Sequence, residues 1–93
     1  MTGTELITRR WAPEVLLFLA PGPARFNWLL RGIPGISDRM LTTRLIDLES
    51  QGLVERKVTV EQYFPVKVTY SLTAAGQRYI PALKALQEVQ LAS

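Results

Sequence analysis

The chain has 93 residues, 47% hydrophobic and 20% charged, which is enough apolar material to fold as one domain spanning residues 1–93 and too much for a disordered tail. Its 11 Lys and Arg against 8 Asp and Glu give a net charge of +3, compatible with a polyanionic partner without demanding one. It contains neither Cys nor His, which removes disulfides, thiol chemistry, the usual zinc ligands and the commonest general base.

Arg9-Arg10 ahead of the apolar run Val15–Ala20 imitates an export signal. The run is short for a signal core and Glu14 abuts it. No stretch approaches the length of a membrane-spanning helix, so a soluble cytoplasmic protein with no membrane partner is expected.

In chain order, Thr4 to Arg10 reads as a short helix with Leu6, Ile7 and Trp11 on its apolar side. Ala12-Pro13-Glu14 starts a second helix, because proline suits the first helical position and an acid suits the first turn. Val15 to Leu19 is apolar all round and should be buried. Pro21-Gly22-Pro23 ends it, and Ala24-Arg25 follows as an extended link or brief strand. Phe26 to Gly32 forms the next helix, with Phe26, Leu29, Leu30 and Ile33 inward and Trp28 pointing away from part of that set. A tight turn through Gly32–Ile36 leads to a helix from Asp38 to Gln51, capped by Ser37 and stopped by Gly52. Leu41, Leu45 and Leu48 share one of its faces.

Leu53 to Val60 is β-branched and extended, Glu61–Pro65 forms a hairpin tip, and Val66, Val68, Tyr70 and Leu72 alternate on one face of the returning strand. Thr73 caps a last helix from Ala74 to about Leu91, which Pro81 bends or splits. Its stripe of Tyr79, Ile80, Leu83, Leu86 and Val89 suits the same helix of a second subunit. Two helices joined by a tight turn and followed by a two-stranded hairpin are the parts of a winged helix-turn-helix. The fold class is α+β, mainly α, with a two-stranded β wing and a C-terminal dimerisation helix.

The face of the Asp38 helix opposite its leucines carries the information: Arg39, Thr42, Thr43, Ile46 and Asp47, with Asp38 on its flank. Arg39, Thr42 and Thr43 are the base-edge candidates, since arginine bonds guanine in a fork and threonine meets a base edge or a thymine methyl. The plain alternative is a solvated helix face. Met40 and Arg44 flank this face; Arg44 can reach a phosphate or pair with Asp47 or Glu49. Ser37 caps the helix and can donate to a phosphate. Arg25 and Asn27 open the preceding helix, where phosphates are favoured. Lys57 and Lys67 on the two wing strands should add salt-dependent affinity, while Gln62 and Tyr63 at the tip meet sugar or base. Trp11, Phe18, Trp28 and Tyr79 read as core or interface in preference to a ligand box.

The chain resembles the HxlR-type winged helix-turn-helix regulators, relatives of the MarR regulators. The matching residues are Arg10-Trp11, Ala24-Arg25-Phe26-Asn27-Trp28-Leu29 and Ile33-Pro34-Gly35-Ile36-Ser37. They continue with Leu41-Thr42-x-Arg44-Leu45-x-x-Leu48-Glu49, Gly52-Leu53-Val54-x-Arg56 and Pro65-x-Lys67-Val68-x-Tyr70-x-Leu72-Thr73-x-x-Gly76. The resemblance implies a homodimeric, sequence-specific repressor on a near-palindromic DNA operator, with no cofactor. It implies dimerisation through segments 1–11 and 74–93, using Leu6, Ile7, Trp11, Tyr79, Ile80, Leu83, Leu86 and Val89. It also implies a small aromatic effector. Many members sense oxidants through a cysteine near the N-terminus; this chain has none, and Val89 stands where a late Trp is frequent.

Two other classes compete with this one. A winged-helix ligand-sensing or protein-interaction module without DNA binding is motivated by Asp38, Asp47 and Glu49, which would repel phosphate. An enzyme is disfavoured, because the sequence offers no paired carboxylates, phosphate loop or nucleophile–base pair.

Overall fold

The structure, a computed structural model, describes residues 9–62 and 64–92. Leu6, Ile7, Tyr63 and most of the expected first helix lie outside the described residues; Arg9 and Arg10 form a bend and a turn. The described elements are α1 (Ala12–Leu19), α2 (Phe26–Gly32), α3 (Asp38–Ser50), β1 (Val54–Glu61), β2 (Phe64–Leu72) and α4 (Ala74–Ala92). The expected order of helices and strands is therefore observed from Ala12 onward.

Helix α1 is central, packing against α2, α3, α4 and β2. Its Val15, Leu16 and Leu19 are buried with Leu29 and Ile33 of the second helix unit and Leu41, Leu45 and Leu48 of α3. Pro13 occupies its first turn beside Glu14. Trp11 precedes it with φ 74°, a backbone conformation rare for a large side chain. The Arg10 guanidinium lies 5.1 Å from the centre of the Trp11 ring. That ring reaches the turn between α2 and α3: a Cβ on Gly35 would sit 3.5 Å from Trp11 Cη2. Gly35 itself has φ 85°, the left-handed backbone that glycine accepts most readily.

The wing is an antiparallel pair in which Val54 faces Leu72, Arg56 faces Tyr70 and Val58 faces Val68. Opposed residues share a face, so Val68, Tyr70 and Leu72 alternate as expected, and Lys57 and Lys67 lie together on the other face. The pairing slips between Thr59 and Glu61, a bulge near the tip. Ala24 is the anticipated brief strand: it exchanges two 2.8 Å backbone hydrogen bonds with Tyr70, covering the free edge of β2. The returning strand starts at Phe64, two residues before the alternation becomes visible, because pairing extends through Pro65 toward the tip.

Four element ends meet at one point. The Leu53 amide donates to the Leu48 carbonyl at 2.9 Å and closes α3, with Gly52 at φ 74°. The Thr73 amide donates to the Leu53 carbonyl at 3.1 Å, and the Thr73 hydroxyl donates to the Gly52 carbonyl at 2.6 Å. The same hydroxyl oxygen accepts from the Gly76 amide at 3.1 Å, which is the predicted cap of α4. Gly76 rests so close on Leu53 that an added Cβ would overlap the Leu53 carbonyl oxygen.

Helix α4 runs unbroken through Pro81, so that residue does not split it. Ile80 and Leu83 are 6% and 5% exposed and belong to the chain's own core, which corrects their assignment to a dimer surface. Tyr79 and Trp11 are half-buried against the same core. Beyond Leu83 the helix leaves the core, and Leu86, Val89 and Leu91 are exposed.

Gly76→Ala tests the junction. A methyl there meets a backbone carbonyl that has no side-chain freedom to yield, and overpacking of this kind costs about 1–3 kcal/mol or more. Urea denaturation should show that loss with an unchanged slope; a neutral substitution would show that the four ends are loosely joined.

Candidate nucleic-acid interface

Helix α3 is divided lengthwise by its sequence. Leu41, Leu45 and Leu48 are buried against α1, which fixes the rotation of the helix. The opposite face is then obliged to be outward: Arg39, Thr42 and Thr43 are exposed, as are Asp38, Glu49 and Ser50. Ser37 Oγ accepts from the Met40 amide at 3.1 Å, so the helix begins at a satisfied cap. Asp38 occupies the first turn, where the helix dipole favours its charge. Ser37 remains exposed beside this cap.

Two flanking residues behave differently from the outward set. Arg44 is 8% exposed and folds along its own helix. Its Nη1 donates to Asp47 Oδ2 at 2.7 Å and its Nη2 lies 3.5 Å from Met40 Sδ. Of the two readings open for Arg44, pairing with Asp47 is the one observed and reach to a phosphate is not: the guanidinium is held along the buried flank between Asp47 and Met40. Met40 is half-buried by the same packing. The pair has an electrostatic consequence, because the Asp47 carboxylate is neutralised beside the outward face.

Ile46, which the spacing places on the outward face, is 63% exposed there, one turn beyond Thr42 and Thr43. It is not among the expected site residues, yet a β-branched apolar side chain this exposed gains little from packing within the chain.

The wing stands beside this helix. Thr42, Leu45, Ile46 and Glu49 of α3 line a crevice whose other wall is Arg56 and Tyr70. Lys57, Lys67 and Gln62 are exposed along the wing and at its tip. Arg25 and Asn27, at the start of α2, are exposed and line a second groove together with Lys67. The structure thus brings the cations Arg25 and Lys67 together, keeps Arg39 with Thr42 and Thr43 on α3, and removes Arg44 from the surface. Among the described residues no group of His, Cys, Asp and Glu could hold a metal, and no helix is long and apolar enough to cross a membrane.

Comparisons with known proteins agree with this geometry. A family model described as HxlR-like helix-turn-helix matches residues 6–92. An uncharacterised HTH-type transcriptional regulator of Methanothermobacter thermautotrophicus is 46% identical over 79 residues, covering 85% of this chain and 59% of that protein. Among solved structures, the redox regulator HypR in its oxidised form has a TM-score of 0.87 at 34% identity, covering 96% of this chain and 90% of that one. The quinone-bound YodB from B. subtilis has a TM-score of 0.78 at 30% identity, covering 96% of this chain and 91% of that one. The chain spans 59% of the first of these relatives and 73% of another, YvaP of Bacillus subtilis. With α2 and α3 joined through Gly35, the polar face of the Ser37-capped α3 turned outward and a β wing beside it, the chain belongs to the HxlR-like helix-turn-helix family of transcriptional regulators.

Proposed function

We propose that the protein binds double-stranded DNA as a homodimer at a near-palindromic operator and represses transcription from it. The observation that carries this reading is the outward face of α3. Arg39, Thr42, Thr43 and Ile46 project from a helix whose other face is locked in the core, so the group can enter a major groove without rearrangement. Arg39 and the two threonines supply hydrogen bonds to base edges. Ile46 supplies an apolar contact suited to a thymine methyl. Ser37, Arg25, Asn27, Lys57 and Lys67 hold the phosphate backbone and fix register, and Gln62 extends the wing toward sugar or base.

A dimer is supported by the outer half of α4, where Leu86, Val89 and Leu91 are exposed along a helix that has left its own core. An isologous helix pair would cover them and relate two α3 helices by a twofold axis. To meet successive major grooves on one side of a duplex, such a pair has to hold its α3 helices about 34 Å apart, one DNA turn. A small aromatic effector is supported by the quinone-bound state of the YodB relative. With no cysteine in this chain, any response to such a compound has to be non-covalent with respect to thiols. The competing reading, an interaction module without DNA binding, rested on three acids of α3. Asp47 is paired, Asp38 serves the helix dipole, and Glu49 lies near the helix end beside Arg56 in the crevice, which weakens that reading.

Fluorescence anisotropy on duplexes enriched by the protein at several salt concentrations tests the assignment of roles. Arg39→Ala should lose about 1–3 kcal/mol of discrimination at one base pair. Lys67→Ala should weaken all sequences alike and reduce the slope of log K against log salt by roughly one phosphate contact. Equal effects of the two variants on cognate and random duplexes would contradict this division. For Ile46, replacing individual thymines of the enriched duplex by deoxyuridine removes only the methyl. The wild type should lose affinity at one or two such positions per half-site, and Ile46→Ala should be indifferent to the same change. A wild type insensitive at every thymine would remove Ile46 from the readout.

A further inference from the structure

The second groove has a volume of about 950 Å³ and carries the rings of Phe18, Phe26 and Trp28 in its walls. Trp28 is 52% exposed although it is among the largest apolar side chains of the protein. Its ring meets Phe18 edge to face, with centroids 5.7 Å apart and planes at 64°. Phe18 is in turn seated by Gly32, where an added Cβ would fall 2.5 Å from Phe18 Cε1. The indole is thus supported from within the protein and half-open to solvent, as a stacking platform has to be.

The charge of the groove has one sign. Arg25, Arg31 and Lys67 line it, and no Asp or Glu is among its described lining residues. All three cations are exposed, and among the described residues none of them is paired with an acid. A polyanion is the complementary partner. An acidic peptide strand finds little to pair with here. Ala24 already holds the Tyr70 backbone on this edge of β2. Toward the tip Val60 alone stands opposite Pro65 and Val66, so β2 bulges and its ladder is broken. A nucleic acid strand needs no ladder, since it brings one phosphate and one flat base at every repeat. In a duplex only the base edges reach the grooves, so a ring such as Trp28 is matched by unpaired bases.

We propose that this groove binds single-stranded DNA, a base stacked on Trp28 and the neighbouring phosphates among Arg25, Arg31 and Lys67. The site goes beyond the operator reading and does not rest on it. Trp28 and Arg31 have no part in that reading, whereas Arg25 and Lys67 serve both.

The test uses the full chain and fluorescence anisotropy of three probes: octathymidylate, an abasic octamer with the same phosphates, and a hairpin duplex. Octathymidylate should bind the wild type about tenfold more tightly than the abasic octamer, the value of one base stacked on an aromatic ring. Trp28→Ala should bind the two octamers alike, and Trp28→Tyr, which keeps a ring, should restore most of the difference. By NMR, octathymidylate should move the indole N–H resonance of Trp28, assigned with Trp28→Tyr. Arg31→Gln, whose side chain is exposed, should lower the slope of log K against log salt for octathymidylate by roughly 0.7 while keeping the wild-type urea midpoint. Equal binding of octathymidylate and the abasic octamer to the wild type overturns the proposal, and this arm needs no variant to fold. Polyglutamate that competes as well as unlabelled octathymidylate at equal charge also overturns it, since the groove is then a general anion site. If Trp28→Ala weakens the hairpin by the same factor as octathymidylate, Trp28 belongs to a duplex surface and the single-strand site falls. Tighter binding of the ribose form of the same octamer overturns the choice of DNA. Failure of the operator reading looks different: no duplex is enriched from a random pool, and the comparison of the two octamers is untouched.

Discussion

The structure depends on the contact between the first turn of α4 and the backbone at Gly52–Leu53. There the end of α3, the start of β1, the end of β2 and the start of α4 share a few hydrogen bonds, two of them made by the Thr73 hydroxyl. Each bond is modest, about 1 kcal/mol, but together they fix angles as well as energy. The departure of the wing from α3 is set by the left-handed Gly52 and by the pairing of Val54 with Leu72. Gly76 permits the approach because it has no Cβ to strike Leu53. A two-stranded hairpin is marginal in isolation. Here its base is anchored on both strands, and Ala24 bonds its outer edge.

That anchoring gives α3 and the wing a fixed mutual orientation, which the proposed approach to a rigid double helix requires. The rotation of α3 is set independently, by three leucines against α1. One face is therefore committed to the core, and the exposed character of Arg39, Thr42, Thr43 and Ile46 follows from it. The half-buried Arg44–Asp47 pair completes the arrangement. Removing Asp47 would leave the Arg44 guanidinium poorly solvated, so the pair holds Met40 and the flank of α3 in place while keeping a carboxylate's charge from the presented face.

Most of this was legible in the sequence because the signals were local. Ser37 and Thr73 are caps whose bonds span three residues, Pro13 marks a first turn, and Gly52 marks a helix end. The leucine spacing gave the inward face of α3. What was not legible required knowing what lies across the fold. The pair of Arg44 with Asp47 is one of two options the i, i+3 spacing leaves open; that it wins over a phosphate contact depends on how the flank of α3 packs, which no spacing encodes. Ile80 and Leu83 lie on the same stripe as Leu86 and Val89. Only the point at which α4 leaves the core, after Leu83, divides that stripe into a core part and an exposed part. Trp28 reads from its spacing as core or interface; its half-exposed ring beside Arg25, Arg31 and Lys67 depends on β2 lying opposite α2.

The central claim is that a rigid junction presents α3 and the wing together to one face of a DNA duplex, in a symmetric pair. Selection of bound duplexes from a random pool by the purified protein, followed by sequencing, tests it most directly. The account predicts enrichment of a twofold-symmetric motif whose half-sites are centred about 10 base pairs, one helical turn, apart. A pool that stays random through successive rounds would contradict it.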